Sequence, residues 1–390
     1  MGLFDFFRGW KKNKTVEQDS HETSEPEAAE DHKNQEYTAA EERNIVADKP
    51  EMAEAKDDSG IAWSENFSDL LSEKVSPVMA DQLTDFQVSG ATQEAAAKTP
   101  QTCSDLGASW ELYDSVETYT MERLEHVMSL LNKDTARPAI HIKVSDKEPK
   151  LADSKFGGVP YLPKNGSVPV DDQGHQLRLL AQIHSKDLPA NDFWPIQGLL
   201  QFWVLDNENT GADFKNLTSC RESRVIHYAA VDEAVTEADV LKKYHPYCDE
   251  DAWFPVRGTF SLEFNAVSEG MSTCDYRFDP LFASYWNKAY PDSPVDSYFD
   301  LPSDIAERMF DEISGFGHKL GGYPAFTQED PRDGQPPYKD YEFLLLQIDS
   351  QGTAKQEIMW GDSGVCTFFI TYNDLKAGKF DKVLYTWDCY

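Results

Sequence analysis

From Trp110 to Leu131 the apolar side chains recur every three or four residues: Trp110, Tyr113, Val116, Met121, Leu124, Val127, Met128 and Leu131. That period places them on one face and predicts a helix, which Asn132 and Pro138 should end. Ala139-Ile140-His141-Ile142-Lys143-Val144 then alternates, as a strand with one buried face does. The segments Leu179–Ile183, Leu199–Leu205, Arg224–Tyr228, Tyr341–Ile348, Cys366–Ile370 and Val383–Trp387 are short, apolar and separated by turn residues, so each is expected to be a strand. A second helix is expected over Ser303–Ile313, with Ser303 as N-cap and Gly315 ending it. No alternation of strand and helix runs along the chain. The expected fold class is therefore α+β, mainly antiparallel sheet with few helices, and not a doubly wound parallel sheet.

Ahead of this region the pattern is different. Residues 15–107 are polar, acidic and poor in large apolar side chains, so they should form a long disordered acidic N-terminal tail. Within it, Trp63, Phe67, Leu70 and Leu71 could form a transient helix, marginal in isolation. The first fourteen residues, MGLFDFFRGWKKNK, set Leu3, Phe6, Phe7 and Trp10 on one helical face beside Arg8, Lys11, Lys12 and Lys14. Such a tip is expected to make weak peripheral contact with an anionic membrane. The myristoylation pattern fails at Phe6. The expected plan is a basic amphipathic tip at 1–14, an acidic linker at 15–107 and a folded body at 108–390.

The body repeats itself. Ser154-Lys155-Phe156-Gly157-Gly158-Val159-Pro160 is echoed by His318-Lys319-Leu320-Gly321-Gly322-Tyr323-Pro324, and Leu179–Ile183 by Leu344–Ile348. Gly198–Val204 is echoed by Gly364–Ile370, and Arg224–Tyr228 by Lys382–Tyr385. Gly157 to Gly321 is 164 residues, Gln182 to Gln347 is 165 and Gly198 to Gly364 is 166. So constant an offset predicts an internal duplication, with halves at about 139–230 and 318–390. The fourth echo, Val225 to Val383, is 158 residues, so the connection before that strand should be longer in the first half.

The formal net charge is −33, of which −12 falls in residues 1–100 and −21 in residues 101–390. A body this acidic is repelled by phosphate backbones, which argues against a nucleic-acid role and suits a basic protein partner or simple solubility. Six cysteines without a C-x-x-C pair, and the lack of a signal peptide or a run of about 20 apolar residues, point to a reduced, cytoplasmic protein. The tip would place it in part on the inner face of the cytoplasmic membrane.

The letters Gly361-Asp362-Ser363-Gly364 match the surroundings of a serine-protease nucleophile. Val365 follows, all nine histidines precede Ser363, and Gly364 aligns with Gly198 before a buried strand. Ser363 is read as a turn residue and no catalytic residue is assigned. Gly157-Gly158 and Gly321-Gly322 fit tight turns better than ligand loops, and no phosphate-binding loop occurs. The loop from Asp206 to Gly211 begins like a calcium loop, but Leu217 stands where a bidentate glutamate is needed. His245 and Cys248 lack a second ligand pair. Neither a metal nor a cofactor is expected. The polar groups nearest the buried strands are Gln182, His184, His318, Asp330, Arg332, Gln347 and Asp349, candidates for a cleft between the halves or for tying down backbone.

The segments KFGGVPYLP, LLAQI, GLLQFWV, HKLGGYPAFTQEDPR, LLLQID, WGDSG and VLYTWDCY, in that order, resemble the YwqG-like family, a bacterial domain family of unknown function. The resemblance covers about Ala139 to Tyr390 and implies an α+β body with its halves packed together. Two functional readings stay open. One is a non-catalytic protein-binding module, immunity-like or an adaptor, and the other a hydrolase or transferase with its site between the repeats.

Overall fold

The computed structural model describes residues 119–250 and 252–390, so the basic tip at 1–14 and the acidic segment at 15–107 lie outside the described residues. Five helices occur among them: α1 (Met121–Thr135), α2 (Glu237–Leu241), α3 (Phe278–Ala289), α4 (Ser303–Ile313) and α5 (Tyr372–Lys376). The first begins later than its apolar spacing predicts. The Thr120 hydroxyl accepts the Arg123 N–H at 3.2 Å, a side-chain cap that leaves Tyr119 and Thr120 outside the helix. The helix also outruns Asn132 to Thr135, whose hydroxyl bonds back to the Leu131 carbonyl at 2.8 Å. At α4 the N-cap is Pro302, not Ser303, and no side chain caps it; its carbonyl takes the Ile305 and Ala306 N–H groups at 3.1 and 3.0 Å.

The strands are β1 (Arg137–Ser145), β2 (Lys155–Gly157), β3 (Arg178–His184), β4 (Leu199–Val204), β5 (Ser223–Tyr228) and β6 (Val256–Arg257). They continue as β7 (Thr259–Glu269), β8 (His318–Gly321), β9 (Phe343–Asp349), β10 (Glu357–Ile358), β11 (Val365–Ile370) and β12 (Leu384–Asp388). Ten of them form one sheet in the order β12-β11-β9-β8-β1-β7-β2-β3-β4-β5, while β6 and β10 pair separately. Neighbouring strands are antiparallel. The fold is α+β and mostly antiparallel sheet with few helices.

At the centre, β1 and β7 pair over nine residues, Arg137↔Glu269 to Ser145↔Ser261. In β1, Ile140, Ile142 and Val144 are buried while His141 and Lys143 are exposed, as the alternation predicts. Outward from this pair, β8-β9-β11-β12 on one side follows the same course as β2-β3-β4-β5 on the other. The likeness extends to irregularities. Leu180 is passed over in the β3–β4 register, and Leu345 in the β9–β11 register. The turns after β2 and β8 place Gly157, Gly158, Gly321 and Gly322 at φ of 64°, 73°, 69° and 67°. A side chain on Gly157 would strike the Gly258 carbonyl, and one on Gly321 the Phe193 ring. The fourth echo is offset by two residues from the letter match: Phe202 faces Val225, and Phe368 faces Tyr385 rather than Val383. A slip of two leaves the same side chains facing inward, so the hydrophobic pattern does not reveal it.

One continuous core draws on both sides of the sheet, including Phe156, Leu180, Phe202, Leu320, Leu345 and Phe368. The sheet curls until Phe202 and Phe368 touch, ring centroids 5.0 Å apart. The connection between β4 and β5 reaches the far edge, where the Tyr385 N–H donates to the Leu217 carbonyl at 2.9 Å and the Tyr385 hydroxyl to the Thr210 carbonyl at 2.8 Å. Helix α1 is joined to α3 by Tyr285 donating to Asp134 at 2.6 Å, and to the loop after α3 by Arg123 donating to Ser293 at 2.8 Å. Inside them stack Phe278, Phe282, Trp286 and Tyr298.

Candidate functional site

Gln182 on β3 and Gln347 on β9 are fully buried and hydrogen-bonded at both ends of their amides. Gln182 Nε2 donates to the Leu151 and Asp153 carbonyls at 2.8 and 2.7 Å, and its Oε1 accepts the Tyr161 N–H at 3.1 Å. Gln347 Nε2 donates to the Gly315 and Gly317 carbonyls at 2.9 and 2.8 Å, and its Oε1 accepts the Ala325 N–H at 2.7 Å. Each amide clamps the loops on both sides of β2 or β8 to the neighbouring strand.

His318 and Asp349 come together. His318 Nδ1 accepts the Asp349 N–H at 3.0 Å, and the carboxylate of Asp349 accepts the Gly317 and Ser350 N–H groups at 2.7 and 2.6 Å. His318 is 2% exposed against the Phe156 ring, and burial pushes its imidazole down to about 4. Its Nε2 has no partner among the described residues. Burial also raises the Asp349 carboxyl, against the hydrogen bonds it accepts from Gly317 and Ser350. In the other half the Ser154 hydroxyl replaces the imidazole and accepts the His184 N–H at 2.8 Å. His184 itself accepts the Lys186 N–H at 3.2 Å, and burial followed by Lys186 lowers its pKa.

Asp330 and Arg332 belong to a buried ion network. Arg332 donates to Asp330 at 2.6 and 2.9 Å and to Asp275 at 3.0 Å, and Arg277 donates to both Asp275 oxygens at 2.8 Å. Burial alone would raise the Asp275 carboxyl, but Arg277 and Arg332 outweigh it and hold the group well below the usual carboxylate range. No hydrogen bond joins this network to His318 or Asp349. Gln182 and His184 lie on β3, five strand steps from the β9 pair Gln347 and Asp349. Among the described residues no hydrogen bond joins Gln182 or His184 to His318, Asp330, Arg332, Gln347 or Asp349.

Ser363 sits exposed in the turn, at φ 89°, which the Gly364 N–H closes by donating to the Trp360 carbonyl at 2.7 Å. Asp206 is buried and accepts from Arg178 at 2.7 Å, while Leu217 packs into the core. No group of three or more His, Cys, Asp or Glu side chains gathers as metal ligands among the described residues.

The recess with the most chemistry lies elsewhere. The β6–β10 pair brings residues 252–255 beside residues 357–361, and β12 adds Trp387. Together with Glu208 and Thr210 they enclose about 370 Å³, walled by Trp253, Trp360, Trp387 and Met359. Trp253 is 56% exposed and Arg257 lies over its ring. The Trp387 ring is 6.0 Å from Trp360 and 6.0 Å from Phe214, itself 53% exposed. Trp387 donates its indole N–H to the Asn209 carbonyl at 2.8 Å, whereas Trp360, 1% exposed, has no partner for its own. Glu208 and Glu357 stand exposed at this recess without an ion-pair partner among the described residues. In the sequence only Trp253, a tryptophan beside the acidic run Asp249–Asp251, marks this site.

Residues 154–389 match the family model described as Domain of unknown function (DUF1963), and the chain belongs to that family. No curated protein matches the chain. No helix among the described residues is long and apolar enough to cross a membrane.

Proposed function

We propose that this DUF1963 protein is a YwqG-like, non-catalytic protein-binding module of the bacterial cytoplasm, and that the Trp253–Trp360–Trp387 recess is where its partner docks. The observation that carries the reading is the exposed Trp253 ring in one recess with Trp360 and Trp387, the last of which also carries the exposed Phe214 ring against it. Exposed aromatic side chains gathered at a recess are enriched in interaction sites. His318, Asp330 and Arg332, which a hydrolase or transferase would need, are instead engaged in packing and ion pairs. The matched glutamines, bulges and glycine turns further support reading the two strand quartets as copies of one unit.

The test is photo-crosslinking in cells of the full chain, with the reactive residue at position 253 or 214 and, as control, at position 130, where Leu130 is exposed far from any aromatic cluster in sequence. A discrete adduct from 253 and 214, missing from 130, is expected. No adduct, or the same adducts from all three positions, would overturn the proposal.

A further inference from the structure

The recess combines two kinds of wall. Three indole rings line it, and two exposed carboxylates, Glu208 and Glu357, stand at the same recess, with Arg257 across from Glu357 in the β6–β10 pair. Three rings with negative faces and two carboxylates against the one guanidinium of Arg257 attract one class of group, a further organic cation. The protein already shows the arrangement once, since the Arg257 guanidinium lies over the Trp253 ring. The third element is the Trp360 indole N–H, which is buried in the recess wall and lacks an acceptor. A buried donor of this kind is normally satisfied, and a carbonyl oxygen arriving with a ligand would satisfy it.

We infer that the recess binds an arginine side chain on a basic segment of the partner protein. The guanidinium would stack among Trp253, Trp360 and Trp387, with Glu208 and Glu357 beside it and a backbone carbonyl of the segment near the Trp360 N–H. Arginine fits better than lysine because its planar, weakly hydrated head stacks on rings while donating sideways to carboxylates. The net charge of −21 in residues 101–390 steers such a segment toward the body and disfavours acidic competitors. The inference rests on the docking role proposed above and names the chemistry of the same site.

The experiment titrates the full chain, ¹⁵N-labelled at tryptophan, with the peptide acetyl-Gly-Ser-Arg-Ser-Gly-amide and its lysine and citrulline counterparts. Indole N–H signals are assigned by single Trp→Phe replacement. Saturable shifts of the Trp253, Trp360 and Trp387 signals are expected with the arginine peptide. Affinity should fall at least about tenfold with citrulline, and equally in Trp253→Ala and in the double variant Glu208→Gln/Glu357→Gln. All three replaced side chains are exposed, so the variants should keep the parental melting temperature. No saturable shift, equal binding of the citrulline peptide, tighter binding of the lysine peptide, or indifference to Trp253→Ala would each overturn the inference. If position 253 still crosslinks a partner in cells while the arginine peptide fails, docking stands and only the cationic specificity falls.

Discussion

Phe202 and Phe368 meet edge to face, 5.0 Å between centroids, although they lie on β4 and β11 at opposite flanks of the ten-stranded sheet. The contact places the two flanks in one core, so neither should melt alone. Phe368→Ala is expected to cost about 3–5 kcal/mol and to lower the whole body's unfolding in one transition. Hydrogen exchange should show protection falling together in β4 and β11. Loss confined to β11 would contradict the shared core.

Replacing Gln347 by Leu keeps its bulk but leaves the Gly315 and Gly317 carbonyls and the Ala325 N–H without their partner. A loss of roughly 3 kcal/mol is expected from denaturant unfolding, and a similar loss from Gln182→Leu. The partners of the two glutamines do not overlap, so the double variant should lose the sum to within about 0.5 kcal/mol.

Ser363 holds a left-handed conformation, φ 89°, that glycine adopts without strain. Ser363→Gly should therefore raise stability by about 0.5–1 kcal/mol, measured by thermal melting, whereas a nucleophile's replacement would be selected for chemistry and not for φ. A fluorophosphonate probe should leave Ser363 unlabelled.

Acid should destabilise the body through His318. Its unfolded imidazole takes a proton near pH 6.5, while the folded one resists until about 4. The stability it contributes is complete above pH 6.5 and lost as pH falls through 4, a change of about 3 kcal/mol. Asp388 works the other way. Burial pushes its carboxyl up to about 6, so its contribution is full below 3.8 and lost as pH rises through 6. In melts from pH 7 to pH 4, His318→Asn should flatten the acid loss and Asp388→Asn should steepen it.

For the amino-terminal tip we propose weak membrane contact through Leu3, Phe6, Phe7 and Trp10. Flotation with anionic liposomes at low salt should carry part of the intact chain and none of a variant lacking residues 1–14, and added salt should release it. Equal recovery of both in the soluble fraction would refute it.

Much of this fold could be read from the chain because its strands are apolar and bounded by turn residues, as in Leu199–Val204 and Val365–Ile370. The longest strand, Thr259–Glu269, was legible in principle, since Phe260, Leu262, Phe264 and Ala266 alternate with Ser261, Glu263 and Asn265, although only Phe260 and Leu262 are buried. Helix α3 escaped because Pro280 reads as a breaker, although in a first turn proline loses no hydrogen bond. The aromatic recess was legible only through Trp253. Its walls come from four separate segments that meet only once β6 pairs with β10 and β12 takes its place at the sheet edge.

The connection between β4 and β5 runs for 18 residues, against 13 between β11 and β12. That longer stretch supplies the Leu217 and Thr210 carbonyls that engage Tyr385. Two identical quartets would each end in a bare strand, and bare strands recruit other chains. Here one half carries surplus residues that the other lacks, and spends them on its counterpart's border. Trimming the connection to 13 residues would make the two quartets more alike, and is expected to leave β12 barer and readier to pair with another chain.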